Sequence, residues 1–291
     1  MIFKYAGGKR RILHEILPRL PIRHARRFVE PFVGGGAVFF AARLAGSSGP
    51  AWINDAEPAV AATYLGVCED PEGVVTRLQM HAEKHETPEE RGGSRVYYYR
   101  MRGDRPPIED APRFAAWFIY MNRAGFNGLW RVNRKGENNV PFGDGRPFGV
   151  NAAAIQTAAS ALQDTLITSH DFSRIEMGAG DVAYCDPPYL PASATSSFTG
   201  YTRRGFGPSD QLRLASWCRR QADQGASLLL SNAGVRDSLT AFLDRADEHV
   251  RITAPRVISC KGGGRQPVPE YLFRFGGTPW PAVPSPTQEP A

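Results

Sequence analysis

Two periods of apolar residues run through the chain. Short runs with strand character recur at 28–30, 52–55, 165–169, 182–185 and 226–230, with a closing pair near 249–253 and 270–275. Between them lie stripes at helical spacing. The first is Ile12, Leu13, Ile16, Leu17 and Leu20, which stops near Pro21; others are 37–42, 59–67, and Val74, Val75, Leu78 and His81. Phe114, Trp117, Phe118 and Met121 form a further stripe, as do the alanine-rich 151–162 and Leu212, Leu214, Ala215 and Cys218. Strands alternating with helices predict a doubly wound α/β fold of seven strands, with mainly helical residues 57–149 inserted after the second strand. The polar stretch 83–93 is expected to be a loop, and the proline-rich residues 277–291 a disordered tail. No internal repeat is visible.

Composition adds little beyond a partner class. The chain has 291 residues, 42% of them hydrophobic, enough for one large core. Lys+Arg 35 against Asp+Glu 29 leaves a net charge of +6, which permits a polyanionic partner. Most of the positive charge is arginine, a choice that phosphate contacts or genomic base composition would both produce. Cys68, Cys185, Cys218 and Cys260 are scattered without a CxxC, so neither a zinc site nor a disulfide framework is indicated, and reduced thiols are expected. His81 and His85 lie four apart in a polar run without the HExxH pattern; a solvated helix face is expected there, and no metal. No signal peptide or spanning apolar run is present, so a soluble, cytoplasmic protein is expected.

Candidate chemistry gathers at strand ends. Asp186-Pro187-Pro188-Tyr189 follows the buried run 182–185, and two consecutive prolines must leave the strand as a stiff loop. Such a corner offers one carboxylate, one proline carbonyl and one aromatic face, which suits a planar base carrying an exocyclic amine. A proline-stiffened loop with an N-capping Asp is the alternative. At 28–42 the order is strand, glycine loop (Gly34, Gly35, Gly36), helix, and Asp55 ends the next strand about twenty residues on, the spacing of an acid that takes ribose hydroxyls. The GxGxxG of dinucleotide sites fails, because Phe39 stands at the third glycine. Glu30 and the crowded glycines instead suit a nucleoside cofactor without a pyrophosphate, such as S-adenosylmethionine. Gly7-Gly8-Lys9 before a helix can face an anion or be an ordinary turn. Residues 122–146 carry five basic against two acidic side chains, interleaved with Phe126 and Trp130 and a hairpin near Arg134-Lys135-Gly136, a pattern suited to reading and unstacking duplex DNA.

Taken in order, six blocks resemble the motifs of the Dam-type DNA adenine-N6 methyltransferases (class alpha, D12). They are Lys4-Tyr5-Ala6-Gly7-Gly8-Lys9, Glu30-Pro31-Phe32-Val33-Gly34-Gly35-Gly36, Asn54-Asp55, Asn122-Arg123-Ala124-Gly125-Phe126-Asn127-Gly128, Asp186-Pro187-Pro188-Tyr189 and Ser231-Asn232. Tyr5 departs from the tryptophan frequent in that family but keeps an aromatic face. The resemblance implies a Rossmann-like methyltransferase sheet formed by residues 1–56 and 150–276, with 57–149 as target-recognition subdomain. It implies Asp186, Pro187 and Tyr189 as catalytic residues. Tyr5, Lys9, Glu30, Gly34, Gly36, Asp55, Asp171, Phe172 and Asp186 would hold S-adenosylmethionine, although a helix cap and a core aromatic also account for Asp171 and Phe172. Arg123, Phe126, Asn127, Arg131 and Arg134 would contact double-stranded DNA at a GATC-like target. A monomer is expected, bacterial or phage-encoded, with or without a restriction partner. The same chemistry on cytosine N4 or on RNA, and a DNA-binding module without turnover, are the competing readings.

Overall fold

The computed structural model describes residues 2–5, 7–86, 93–133, 135–190, 205–233, 236–254 and 268–280. Seven strands form one sheet: β1 (Arg27–Glu30), β2 (Ala51–Asn54), β3 (Thr165–Thr168), β4 (Asp181–Cys185), β5 (Ser227–Ala233), β6 (Glu248–Ala254) and β7 (Val268–Phe275). Their spatial order is β3-β2-β1-β4-β5-β7-β6, with β7 antiparallel to both its neighbours. This is the doubly wound sheet of seven strands that the strand count anticipated.

Alternation along each strand divides the core in two, as successive side chains must point to opposite faces. Phe28, Ile53, Val182, Tyr184, Leu229 and Leu272 enter one apolar cluster; Val29, Ala183, Cys185, Leu228, Leu230 and Phe273 enter the other. Helices α8 (Pro208–Asp223) and α9 (Arg236–Leu243) cover the second face. The first is covered by α1 (Leu13–Ile16), α2 (Ala37–Leu44), α3 (Pro58–Glu69) and α7 (Ala152–Ala161).

Between β2 and β3 the chain builds α3, then α4 (Pro71–Glu86), α5 (Gly93–Gly103) and α6 (Ala111–Ala124). Helix α6 is buried along nearly all its length, and its Phe118 meets Phe3 at 5.1 Å and Trp130 at 4.4 Å, so these helices share the sheet's core. Two expectations are corrected here. Glu83, Lys84, His85 and Glu86 continue α4 instead of forming a loop. His81 and His85 face inward: His81 stacks on Tyr120 at 4.8 Å and bonds the Tyr97 hydroxyl at 2.7 Å, while His85 bonds the Tyr120 hydroxyl at 3.0 Å. A tyrosine hydroxyl satisfies Nδ1 of each ring, so both histidines of this polar-looking string pack inward, and burial lowers the His81 pKa to about 4. Trp280, assigned by pattern to the tail, is packed: it donates its amide to Glu248 at 3.0 Å and lies under Arg19 at 5.4 Å. Tail residues 281–291 lie outside the described residues.

The tightest helix crossing is α3 on α6. A methyl at Gly66 would be driven onto the Ala111 carbonyl, with the Ala115 side chain 2.8 Å away. Gly66→Ala is therefore expected to push the helices apart and to cost about 1–3 kcal/mol in chemical unfolding, despite alanine's better helix propensity. A neutral or stabilising result would show that the crossing is compliant.

Candidate active site

The strand order reverses between β1 and β4, and their carboxyl ends open the cleft where an open α/β sheet binds ligands. Asn54 ties three strand ends there. Its Nδ2 donates to the Pro31 and His170 carbonyls, each at 3.0 Å, and its Oδ1 accepts from His170 N at 3.0 Å and Thr168 Oγ1 at 2.9 Å. After β1 the glycine loop turns through Gly34 (φ 45°) and Gly36 (φ 68°), conformations that side chains rarely adopt. A Cβ on Gly34 would strike the Tyr5 ring, and one on Gly36 would strike Phe40 and the Tyr64 hydroxyl. Asp55 Oδ2 accepts from Gly34 N and Oδ1 from Glu57 N, both at 2.9 Å, while Tyr64 donates to the Gly34 carbonyl at 2.9 Å. Glu30 is buried at the floor, and its Oε2 has no hydrogen-bond partner among the described residues. Burial and the Asp186 charge push the Glu30 pKa well up.

Asp186 begins the stiff corner. Cys185 pairs with Leu230, which leaves Asp186 beside Ser231 just beyond the paired strands, and Ser231 Oγ donates to Asp186 Oδ1 at 3.1 Å. Tyr184 and Ser231 share a hydrogen bond of 2.8 Å below. Gln211, itself held by Asn232, donates to the Pro188 carbonyl at 2.9 Å and braces the loop from α8. Lys9, expected to lend charge to an anion-facing turn, is buried and reaches Asp186 Oδ1 at 2.7 Å, with its ammonium 4.7 Å from the centre of the Tyr189 ring. It also donates to the Gly7 carbonyl at 3.0 Å and lies 3.5 Å from Glu270 Oε1. Tyr189 donates its hydroxyl to that same Oε1 at 2.7 Å. Asp186 and Glu270 thus flank one lysine.

Sequence reasoning missed Glu270 and gave no role to Asn122 and Ser231, although both stand in the motif blocks. Glu270 stands at the start of a strand, and only the antiparallel direction of β7 brings that end to the cleft. Asn122 is fully buried and pins two segments: its Oδ1 accepts from Lys4 N, and its Nδ2 donates to the Lys4 and Gly128 carbonyls, all at 2.9 Å. The signal available was an asparagine on the otherwise apolar face of α6.

Asp171 and Phe172 are placed beside the cleft as a cap and a core aromatic. Asp171 accepts from Ser173 and pairs with Arg213 through both oxygens, at 2.7 and 2.9 Å. Burial would raise its pKa, but these bonds outweigh it and hold the value near about 2. Phe172 packs against Phe32 and Trp217 with Arg213 over its ring. In the segment after α6, Phe126 is 47% exposed while Trp130 is only 3% exposed, edge-on to Trp117 and packed on Phe118. Trp130 is therefore core, not a wedge for the duplex. Asn127 is exposed with φ 56°, Arg123 lies over Phe148, and Arg131 donates to Asn139 at 2.7 Å. An antiparallel bridge joins Val132 to Asn138, as the expected hairpin requires; Arg134 lies outside the described residues. A groove of about 270 Å³ lined by Lys4, Arg10, Arg123 and Asn151 runs alongside. Residues 191–204, after the proline corner, and 255–267, between β6 and β7, also lie outside the described residues. Among the described residues no cluster of ligands could hold a metal ion, and no helix is long and apolar enough to cross a membrane.

A reversed sheet order with an acidic, glycine-floored cleft at the strand ends is the ligand-binding arrangement of an open α/β domain. The family model for D12 class N6 adenine-specific DNA methyltransferase matches residues 5–254, and the chain belongs to that family. It is 33% identical over 273 residues to the type II methyltransferase M.MjaIII of Methanocaldococcus jannaschii, covering 90% of this chain and 94% of that one. The DNA adenine methylase of Vibrio cholerae is 35% identical over 281 residues, covering 94% of each chain. The DNA adenine methylase of Escherichia coli K12 is 32% identical over 291 residues, covering 98% of this chain and 97% of that one. The protein is an adenine-specific DNA methyltransferase, and its methyl donor is S-adenosylmethionine.

Burial holds the Asp55 pKa up at about 6, above its ordinary 3.8, against the Glu57 and Gly34 amides. A raised carboxylate contributes stability that is full below 3.8 and lost as pH rises through about 6. At about 1.36 kcal/mol per unit, the stability of the wild type relative to Asp55→Asn is expected to fall by about 2–3 kcal/mol between pH 4 and pH 8. Urea unfolding across that range measures it, and a difference independent of pH would show that Asp55 ionises as in the unfolded chain.

Proposed function

We propose that this protein transfers a methyl group to N6 of an adenine swung out of double-stranded DNA, at a GATC-like target. Residues 1–56 and 150–276 form the catalytic part in this reading, and 57–149 the recognition part. The observation that carries it is the placement of Lys9. An ammonium stands on Asp186 Oδ1 and over the Tyr189 ring, so the corner accepts N–H groups beneath a planar face, as an exocyclic amine requires.

The residues present fit the donor. Glu30 Oε2, buried without a partner, matches an ammonium such as that of an amino acid moiety. Asp55, whose carboxylate oxygens keep further lone pairs, suits ribose hydroxyls, and the Tyr5 ring lies flat against Gly34 beside it. When bound, S-adenosylmethionine supplies a methyl group activated by its sulfonium.

The chain's own contribution is positioning and charge placement. The N6 lone pair of adenine is delocalised into the ring, which makes the amine a poor nucleophile. Accepting both amino hydrogens, on Asp186 and on the Pro187 carbonyl, concentrates electron density on nitrogen and fixes its direction. The amine becomes acidic only after it has been alkylated, and Asp186 is placed to take its proton. Tyr189 stacks on the base and, with exposed Phe126 as wedge, offsets the few kcal/mol of unstacking. Arg123, Asn127, Arg131 and Arg134 read or hold the duplex, and the reaction runs on DNA in the cytoplasm.

Asp186→Ala is expected to lower single-turnover methylation at least about 100-fold with duplex affinity held within about threefold, the scale of losing one preorganised electrostatic contact. Undiminished turnover removes Asp186 from catalysis. For Arg131→Ala, discrimination between the target and singly substituted duplexes is expected to fall by about 1–3 kcal/mol at one position, read from methylation rates. Equal weakening on every duplex would assign Arg131 to phosphate instead.

A further inference from the structure

We propose that Glu270 is a positioning residue for the target base: it takes over the Lys9 ammonium when Asp186 turns to the amino group. This rests on the reading of Asp186 given above. Lys9 holds the two features that an incoming adenine needs, the acceptor Asp186 Oδ1 at 2.7 Å and the face of the Tyr189 ring at 4.7 Å. The base cannot enter until the ammonium leaves. A buried ammonium stripped of its carboxylate is strongly disfavoured, so it must be handed to another anion.

Glu270 stands where that handover requires. Its Oε1 lies 3.5 Å from Lys9 Nζ, and a shift of about 1 Å makes a direct charge-assisted bond. The Gly7 carbonyl, 3.0 Å from Nζ, stays within reach as a pivot. The same Oε1 accepts the Tyr189 hydroxyl at 2.7 Å, so one carboxylate sets both the ring that would stack on the base and the lysine that must withdraw from it. Burial and Asp186 raise the Glu270 pKa, while Lys9 and Tyr189 lower it, so drawing the ammonium closer favours the ionised form that the handover uses. Ser231 and Tyr184 are neutral, and Asp186 is the carboxylate being vacated. Among the described residues, Glu270 is the remaining anion paired with Lys9.

Glu270→Gln tests this, since the carboxamide still accepts from Tyr189 but offers Lys9 no charge. The probe is a GATC duplex with 2-aminopurine in place of the adenine, whose fluorescence rises on unstacking, with the demethylated cofactor present. The wild type is expected to show the rise and E270Q at most a third of it, with cofactor affinity by calorimetry within twofold. Single-turnover methylation by E270Q is expected to fall at least tenfold. In the double variant Lys9→Met, Glu270→Gln the fluorescence rise is expected to return, because no ammonium remains to be moved. A wild-type rise in E270Q, or a loss that Lys9→Met does not relieve, overturns the proposal and leaves Glu270 as an anchor for Tyr189. Should E270Q fail to fold, Glu270→Asp is expected to keep at least half the rise, and a complete loss there overturns it as well. If the wild type itself gives no rise, the extruded-adenine reading falls first, which separates the two failures.

Discussion

The contact between Lys9 and Asp186 is the constraint around which the rest is arranged. Three carboxylates, Glu30, Asp186 and Glu270, are drawn into one partly dry space at the ends of β1, β4 and β7, and the Lys9 ammonium stands between Asp186 and Glu270. Ionised groups so placed repel one another and lose their water. The cluster persists because each finds a specific opposing interaction: Lys9 for Asp186 and Glu270, backbone amide donation from Phe39 for Glu30. Such a site is poised for cationic and N–H-bearing guests.

The sheet explains why these groups meet. In an all-parallel sheet, only carboxyl ends of strands face the ligand edge. Here β7 runs the other way, and its early residue Glu270 sits opposite Ala233 at the end of β5. Residues from a strand start and from two strand ends therefore converge without any long loop. The proline corner keeps Asp186 from following β4 outward, and Gln211 clamps it from the second face of the sheet.

Much of this was legible in the sequence. Apolar runs of strand length and the strand–loop–helix order around Gly34 and Gly36 mark the fold, since they follow from local backbone chemistry and two-faced burial. Asp55 and Asp186 were legible as carboxylates at strand ends. Pairing across long separations was not: nothing local to Lys9 shows that its target is 177 residues away at Asp186, nor that the segment bearing Glu270 folds back antiparallel. The histidines of α4 and Trp130 misled for a related reason. Their polar atoms suit either water or a partner, and Tyr97 and Tyr120 supply the partner for the histidines only once α4, α5 and α6 have packed.

Asn122 has a bearing on modularity. Its carboxamide clasps the N-terminal strap that carries Tyr5 and Lys9 on one side and the turn after Phe126 on the other. The segment proposed to read the duplex is thus not a detachable cassette. Exchanging residues 125–143 for those of a relative, to engineer a new target, would transplant half of a joint whose other half is the first ten residues of the chain. Successful grafts should carry both pieces together.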